Sequence, residues 1–132
     1  MALPNGAGGY QVTDGNVGEP ILFVQGAPTA LTAAATVTAA QLANGLFTFD
    51  GTAGNMTLPT VADLEAYVSA ASKVDAAFDF FVVNIDGGTD DVTVAVGTGW
   101  TLVGAGQVDN GTSGHFRARK TGDGTWTCYR IS

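Results

Sequence analysis

Few residues of this chain could do chemistry: there is one His, His115, and one Cys, Cys128. His115 follows Ser113 by two positions, and Asp109 stands shortly before both. A hydrolytic triad needs a base held in space between nucleophile and carboxylate, beside donors for an oxyanion, and closeness in sequence supplies none of this. The expectation is a surface or interface His. Cys128 alternates with Thr127 and Tyr129 on a strand-like stretch. A reactive thiol wants positive charge beside it, and Arg130 alone makes a weak case, so Cys128 reads as a small buried hydrophobe. Asp86-Gly-Gly-Thr-Asp90-Asp91 gathers three carboxylates whose oxygens could face Ca²⁺. It lacks the twelve-residue loop and closing Glu of an EF-hand, and a solvated turn explains the same letters. The stretch from Asp14 to Glu19 reads the same way. With no acid–base pair at a workable spacing, the chain is expected to have no catalytic residue, metal or cofactor, and not to be an enzyme.

The basic residues say more. Arg117, Arg119, Lys120 and Arg130 are four of only five Lys and Arg, all near the end of an acidic chain. Arg117 and Arg119 share one strand face and form a stripe. A stripe of this kind could bind phosphate, but it more simply meets acidic groups of a neighbouring subunit or partner. Trp100, Trp126 and Tyr129 could form a sugar platform, although packing in a core or interface is the default for tryptophan in a small β domain. Asn55-Met-Thr57 and Asn110-Gly-Thr112 fit the glycosylation pattern as chance matches in a Thr-rich chain.

The 132 residues suffice for one domain with a real core. Charged residues are only 13% and hydrophobic ones 45%, which excludes a disordered chain and a charged helical bundle. The 19 Gly suggest many tight turns. A net charge of −7 and a pI near 4.1 argue against nucleic acid or an anionic membrane as partner. No apolar run approaches the roughly 20 residues of a membrane helix. MALPNGAGGY offers neither a basic nor an apolar signal region, so the expectation is synthesis in the cytoplasm.

These side chains must be positioned by short strands. Residues 1–33 read as an extended N-terminal arm, with Pro4, Gly8-Gly9, Pro20 and Pro28 against any helix. Within it Tyr10, Val12 and Ile21-Leu22-Phe23-Val24 are apolar and costly to leave in water. The run is a latch for another surface or, alternatively, the first strand of the domain. From residue 34 onward the pattern predicts a β-rich domain. Ala39 to Gly45 reads as one helical turn closed by Gly45. Thr60 caps a helix over 60–72, with Val61, Leu64, Val68 and Ala71 as its apolar stripe. Residues 78–85 are apolar on nearly both faces and predict a central strand covered on both sides. Val92, Val94 and Val96 alternate as a half-buried strand. His115–Lys120 and Thr125–Ile131 close the chain around the turn Gly122-Asp123-Gly124. This cadence predicts an all-β (β-rich) fold, a β-sandwich or jelly-roll-like domain over 34–132 with one short α-helix.

The order TVADLEAYVSAAS, FDFFVVNIDGG, VTVAVGTGWTLVG and GHFRARKTGDGTWTCYRI resembles the small head-decoration (cement) and virion surface proteins of tailed phages. In these a "T-ADL" helix precedes an "F-F-V-N" strand, a "GTG-T-L-G" hairpin and a closing strand pair. The resemblance covers roughly residues 34–132 and carries no catalytic residues. It implies a homotrimer bound to the major capsid protein on the surface of the virion. Tyr10, Ile21, Leu22, Phe23, Arg117, Arg119 and Arg130 are the candidate interface residues. The competing expectation is a carbohydrate- or receptor-binding module of a phage fibre, tail or adhesin. It would display its tryptophans on an open face, where a cement protein would bury them.

Overall fold

The computed structural model describes residues 3–4, 10–11, 20, 22–68 and 73–132. Near the N-terminus β1 (Leu3–Pro4) pairs antiparallel with β2 (Tyr10–Gln11). There follow β3 (Thr29–Leu31), β4 (Ala35–Thr36), α1 (Ala39–Asn44), β5 (Leu46–Phe49) and β6 (Gly54–Thr57). Then come α2 (Val61–Tyr67), β7 (Ala77–Asn84), β8 (Val92–Ala95), β9 (Trp100–Val103) and β10 (Gln107–Val108). The long pair β11 (Ser113–Gly122) and β12 (Thr125–Arg130) completes the chain. The described residues are β-rich, as the alternating patterns predict, but hold two short helices where the sequence reading has one: the turn over Ala39–Gly45 closes as a helix of its own because both its ends are capped.

Ten of these strands form two mixed sheets, ordered β3-β5-β7-β11-β12-β9 and β10-β8-β6-β4. From β3 to β8 consecutive strands alternate between them. Thus β3, β5 and β7 stand side by side and parallel in one sheet, as β4, β6 and β8 do in the other. Each circuit of the chain adds one strand to each sheet. Parallel neighbours need such a crossover, because a tight hairpin joins only antiparallel strands. The sheet takes up chain from Thr29, inside the stretch read as an arm.

Local chemistry explains both helices. Thr38 accepts a hydrogen bond from the Gln41 N–H while the Gln41 side chain accepts one from the Thr38 N–H, a complete capping box. Gly45 ends α1 at φ +78°, and a Cβ there would lie 3.2 Å from the Asp79 carbonyl, so a side chain is disfavoured twice. Thr60 caps α2 by accepting from the Asp63 N–H. The predicted helix over 60–72 is shorter: it stops at Tyr67, with Val68 already outside helical geometry. The Val68 N–H still reaches the Leu64 carbonyl, and its side chain packs against the core. Ala71 lies outside the described residues.

Both sheets contribute to one apolar cluster. Phe47, Phe49, Phe80, Val82 and Phe116 enter it from the six-stranded sheet; Met56, Val92, Val94 and Val108 enter from the four-stranded one. Phe80 stacks on Phe116 at 5.2 Å and meets Phe47 edge-on at 6.3 Å. Asn84 is the buried polar residue at the end of β7. Its amide donates to the carbonyls of Asp90 and Val108, and its oxygen accepts from the Asp86 N–H, which ties the following turn to β10.

One expectation about β7 needs correction. Phe78, Phe80, Val82 and Asn84 point inward, but Asp79, Phe81 and Val83 point to the opposite side, where Phe81 is exposed. The strand is central in its sheet and, among the described residues, covered on one face only. Alternation fixes which residues share a face, but not whether a second layer covers an apolar face.

Candidate interaction surface

The outer face of the six-stranded sheet is where the unexplained side chains gather. Strand register aligns them in rows across the strands. Leu46 of β5 lies opposite Phe81 of β7, and Phe81 opposite His115 of β11. The N–H of Ile131, just past β12, donates to the His115 carbonyl and continues the row. Leu46, Phe81 and His115 thus form a stripe across β5, β7 and β11 that Ile131 extends just past β12, with Phe81 43% and Ile131 49% exposed. The His115 ring stacks on Phe81 at 4.5 Å.

The next row is polar and pairs within the chain. Arg117 lies opposite Asp79 on β7 and opposite Tyr129 on β12. Its guanidinium donates twice to Asp79, Nε to Oδ1 at 2.6 Å and Nη2 to Oδ2 at 2.9 Å. His115 Nε2 is also 2.9 Å from Asp79 Oδ2. Arg117 above all, then His115, holds the Asp79 carboxyl down at about 2, while burial opposes the shift. Arg119 donates to Asp75 and to the Tyr129 hydroxyl. Arg117 and Arg119 thus share one strand face, and within the chain their carboxylate partners are Asp79 and Asp75, where the sequence reading looks to a neighbouring subunit or partner.

The other basic residues do not join that stripe. Lys120 has the parity of Phe116 and Ala118 and is buried against Glu65 of α2. Arg130 also turns inward: it lies 5.1 Å over the Phe116 ring and donates to the carbonyls of Ala105, Gln107 and Ser132.

The arm candidates divide by what is described. Tyr10 contributes backbone pairing opposite Pro4, and Ile21 lies outside the described residues. Leu22, Phe23 and Val24 belong to no strand and are 77%, 83% and 99% exposed. Immediately after them the chain is fixed to the end of α1. Gln25 Nε2 donates to the Asn44 carbonyl at 2.8 Å, and Asn44 Nδ2 donates to the Ala27 carbonyl at 2.9 Å.

The remaining candidates have local roles. Asp86 accepts from the N–H groups of Gly88 and Asp90, Asp90 from Ala53, and Asp91 from Asn110 and Gln107. These carboxylates organise turns, and among the described residues no three His, Cys, Asp or Glu stand together as a metal site. His115 is engaged by Asp79 and Phe81, while Asp109 receives Gln107. Trp100 and Trp126 are buried in contact with each other, and Trp100 Nε1 donates to the Pro59 carbonyl. Cys128 is fully buried and its thiol is pushed up to about 12 by burial, which makes it inert near neutrality. A groove of about 550 Å³ lies where Thr38 and Thr60, the two capping residues, approach Thr98. Among the described residues, its lining of Thr hydroxyls and Asp63 includes no aromatic side chain.

Asp79 gives the face a measurable acid response. Its carboxyl titrates at 3.8 when free and at about 2 when folded, so its pairing stabilises the protein fully above pH 4. That contribution is lost as the pH falls through the interval toward 2. Discounted for solvent around the pair, it amounts to about 1 kcal/mol. Urea unfolding from pH 5 to 2 should show this loss, and Arg117→Gln should reduce it. An unchanged pH slope in the variant would assign the acid response elsewhere.

Among the described residues no helix is long and apolar enough to cross a membrane. No family model, curated protein or solved structure matches the chain.

Proposed function

We propose that this chain is a virion structural protein, a capsid decoration (cement) protein of a tailed phage that assembles as a homotrimer on the head. The observation that carries the reading is the segment Leu22–Val24, apolar and exposed beside a body whose tryptophans are buried. Three consecutive large apolar side chains in water are unfavourable unless a partner covers them, since each is worth about 1.5–3 kcal/mol on burial. A latch that covers them on the major capsid protein or a neighbouring subunit accounts for them. The phage family that the sequence resembles supplies the setting, the outer surface of the virion. In this reading the two sheets pack as the layers of a β-sandwich that projects from the shell. The chain performs no catalysis and takes no cofactor, nucleic acid or membrane as partner. The sugar-binding alternative loses its main support because Trp100 and Trp126 lie in the core rather than on an open face.

Co-sedimentation with phage heads that lack the protein tests the reading. The full chain should pellet with them, and a chain without residues 1–24 should bind at least about tenfold less tightly, a floor of about 1.4 kcal/mol. Circular dichroism should show the truncated chain folded. Failure of the full chain to bind heads, together with retention on a glycan array, would favour the carbohydrate module.

A further inference from the structure

The open sheet face and the exposed arm segment belong to the same chain, and each lacks what the other has. The face offers the stripe Leu46–Phe81–His115–Ile131, flanked by Val83 on one side and by the Arg117 row on the other. The arm offers Leu22, Phe23 and Val24, all three turned to water. We propose that the Leu22–Val24 segment of one copy docks on the outer face of the six-stranded sheet of a second copy, across the Phe81 stripe. This rests on the assembly reading above and names its contact.

Charge favours the pairing. The first 72 residues contain no Lys or Arg, and the arm carries Asp14 and Glu19 just ahead of Leu22. The receiving face carries Arg117 and Arg119 paired with Asp79 and Asp75, with His115 beside them, so its charges balance in a chain whose net charge is −7. An acidic, apolar arm therefore meets a face less acidic than the rest of the molecule. Anchoring favours a partner in trans. The Gln25 and Asn44 bonds fix the root of the arm, and from that root Leu22–Val24 runs exposed instead of lying on its own sheet. Arm and face are different surfaces, so one copy's arm can fill the next copy's face, and repeated about the threefold axis of the homotrimer proposed above the contact closes a ring of three.

Two surface variants test this on the full chain. Phe23→Asp removes the arm's anchor and keeps the face; Phe81→Asp spoils the face and keeps the arm. Each should weaken self-association in sedimentation equilibrium at least about tenfold (about 1.4 kcal/mol). Both side chains are already in solvent, so the far-UV spectrum should be unchanged. Ile131→Asp serves as a second face variant should Phe81→Asp disturb the sheet. Mixing Phe23→Asp with Phe81→Asp chains should restore association as a pair of unlike chains, because one intact arm then meets one intact face. A mixture no more associated than either variant alone would overturn the docking, as would a wild-type chain sedimenting at 13.3 kDa at tens of micromolar. The outcomes separate from the functional reading. A chain that binds heads yet is monomeric keeps the cement role and loses this contact, and one that forms the arm-linked ring but ignores heads does the reverse.

Discussion

Replacing Lys120 with alanine is expected to destabilise the protein by about 3 kcal/mol, the low end of what breaking a buried ion pair costs. The Lys120 side chain is only 4% exposed and donates to Glu65 Oε2. The same oxygen receives Trp126 Nε1 at 3.3 Å, so one carboxylate joins α2 to both β11 and β12. Without the ammonium, the Glu65 carboxylate is left beside Trp126, whose Nε1 is its remaining donor among the described residues. Because Glu65 is 27% exposed, water relieves part of the penalty, which sets the estimate at the low end. The double variant Lys120→Met, Glu65→Leu removes both charges and should recover most of the loss, since apolar residues of similar volume often replace such pairs without penalty. Chemical denaturation of both variants checks the argument. A Lys120→Ala protein within about 0.5 kcal/mol of wild type would show that the pair carries no structural load.

Lys120 also shows what the sequence makes legible. Alternation alone puts it inward, because it shares parity with Phe116 and Ala118. What lets a charged residue sit there is not local: its partner Glu65 comes from 55 positions away. Local chemistry reads well for the same reason that partners read poorly. Thr38 with Gln41, Thr60 with Asp63, and Gly45 at the end of α1 act within four residues, so their roles are written in adjacent letters. Arg117 and Asp79 are 38 positions apart and meet because of strand register, which no local pattern encodes. The parallel neighbours β3, β5 and β7 were hidden likewise: a half-buried strand has period two whichever way its neighbour runs.

Adjacent phenylalanines on β7 should separate folding from assembly. Phe80 is fully buried, stacked on Phe116 and met edge-on by Phe47, so Phe80→Ala leaves a cavity where three rings converge. The expected loss is about 3–5 kcal/mol, from the lost transfer free energy and a space its rigid neighbours cannot fully close. Phe80→Leu restores part of the volume and should recover much of that loss. One residue further, Phe81→Ala removes a ring that is 43% exposed and touches chiefly His115. It should cost less than about 1 kcal/mol in the isolated chain. In sedimentation the order reverses. Phe80→Ala, measured where it remains folded, should associate as wild type does, whereas Phe81→Ala should dissociate. The contrast follows from the period of two: neighbouring side chains face opposite ways, one into the core that makes the domain and one onto the face proposed to join copies. If both variants lose stability alike and leave association untouched, the outer face is an ordinary sheet surface, and the contact between copies must be sought at β3 and β9, the sheet's edge strands.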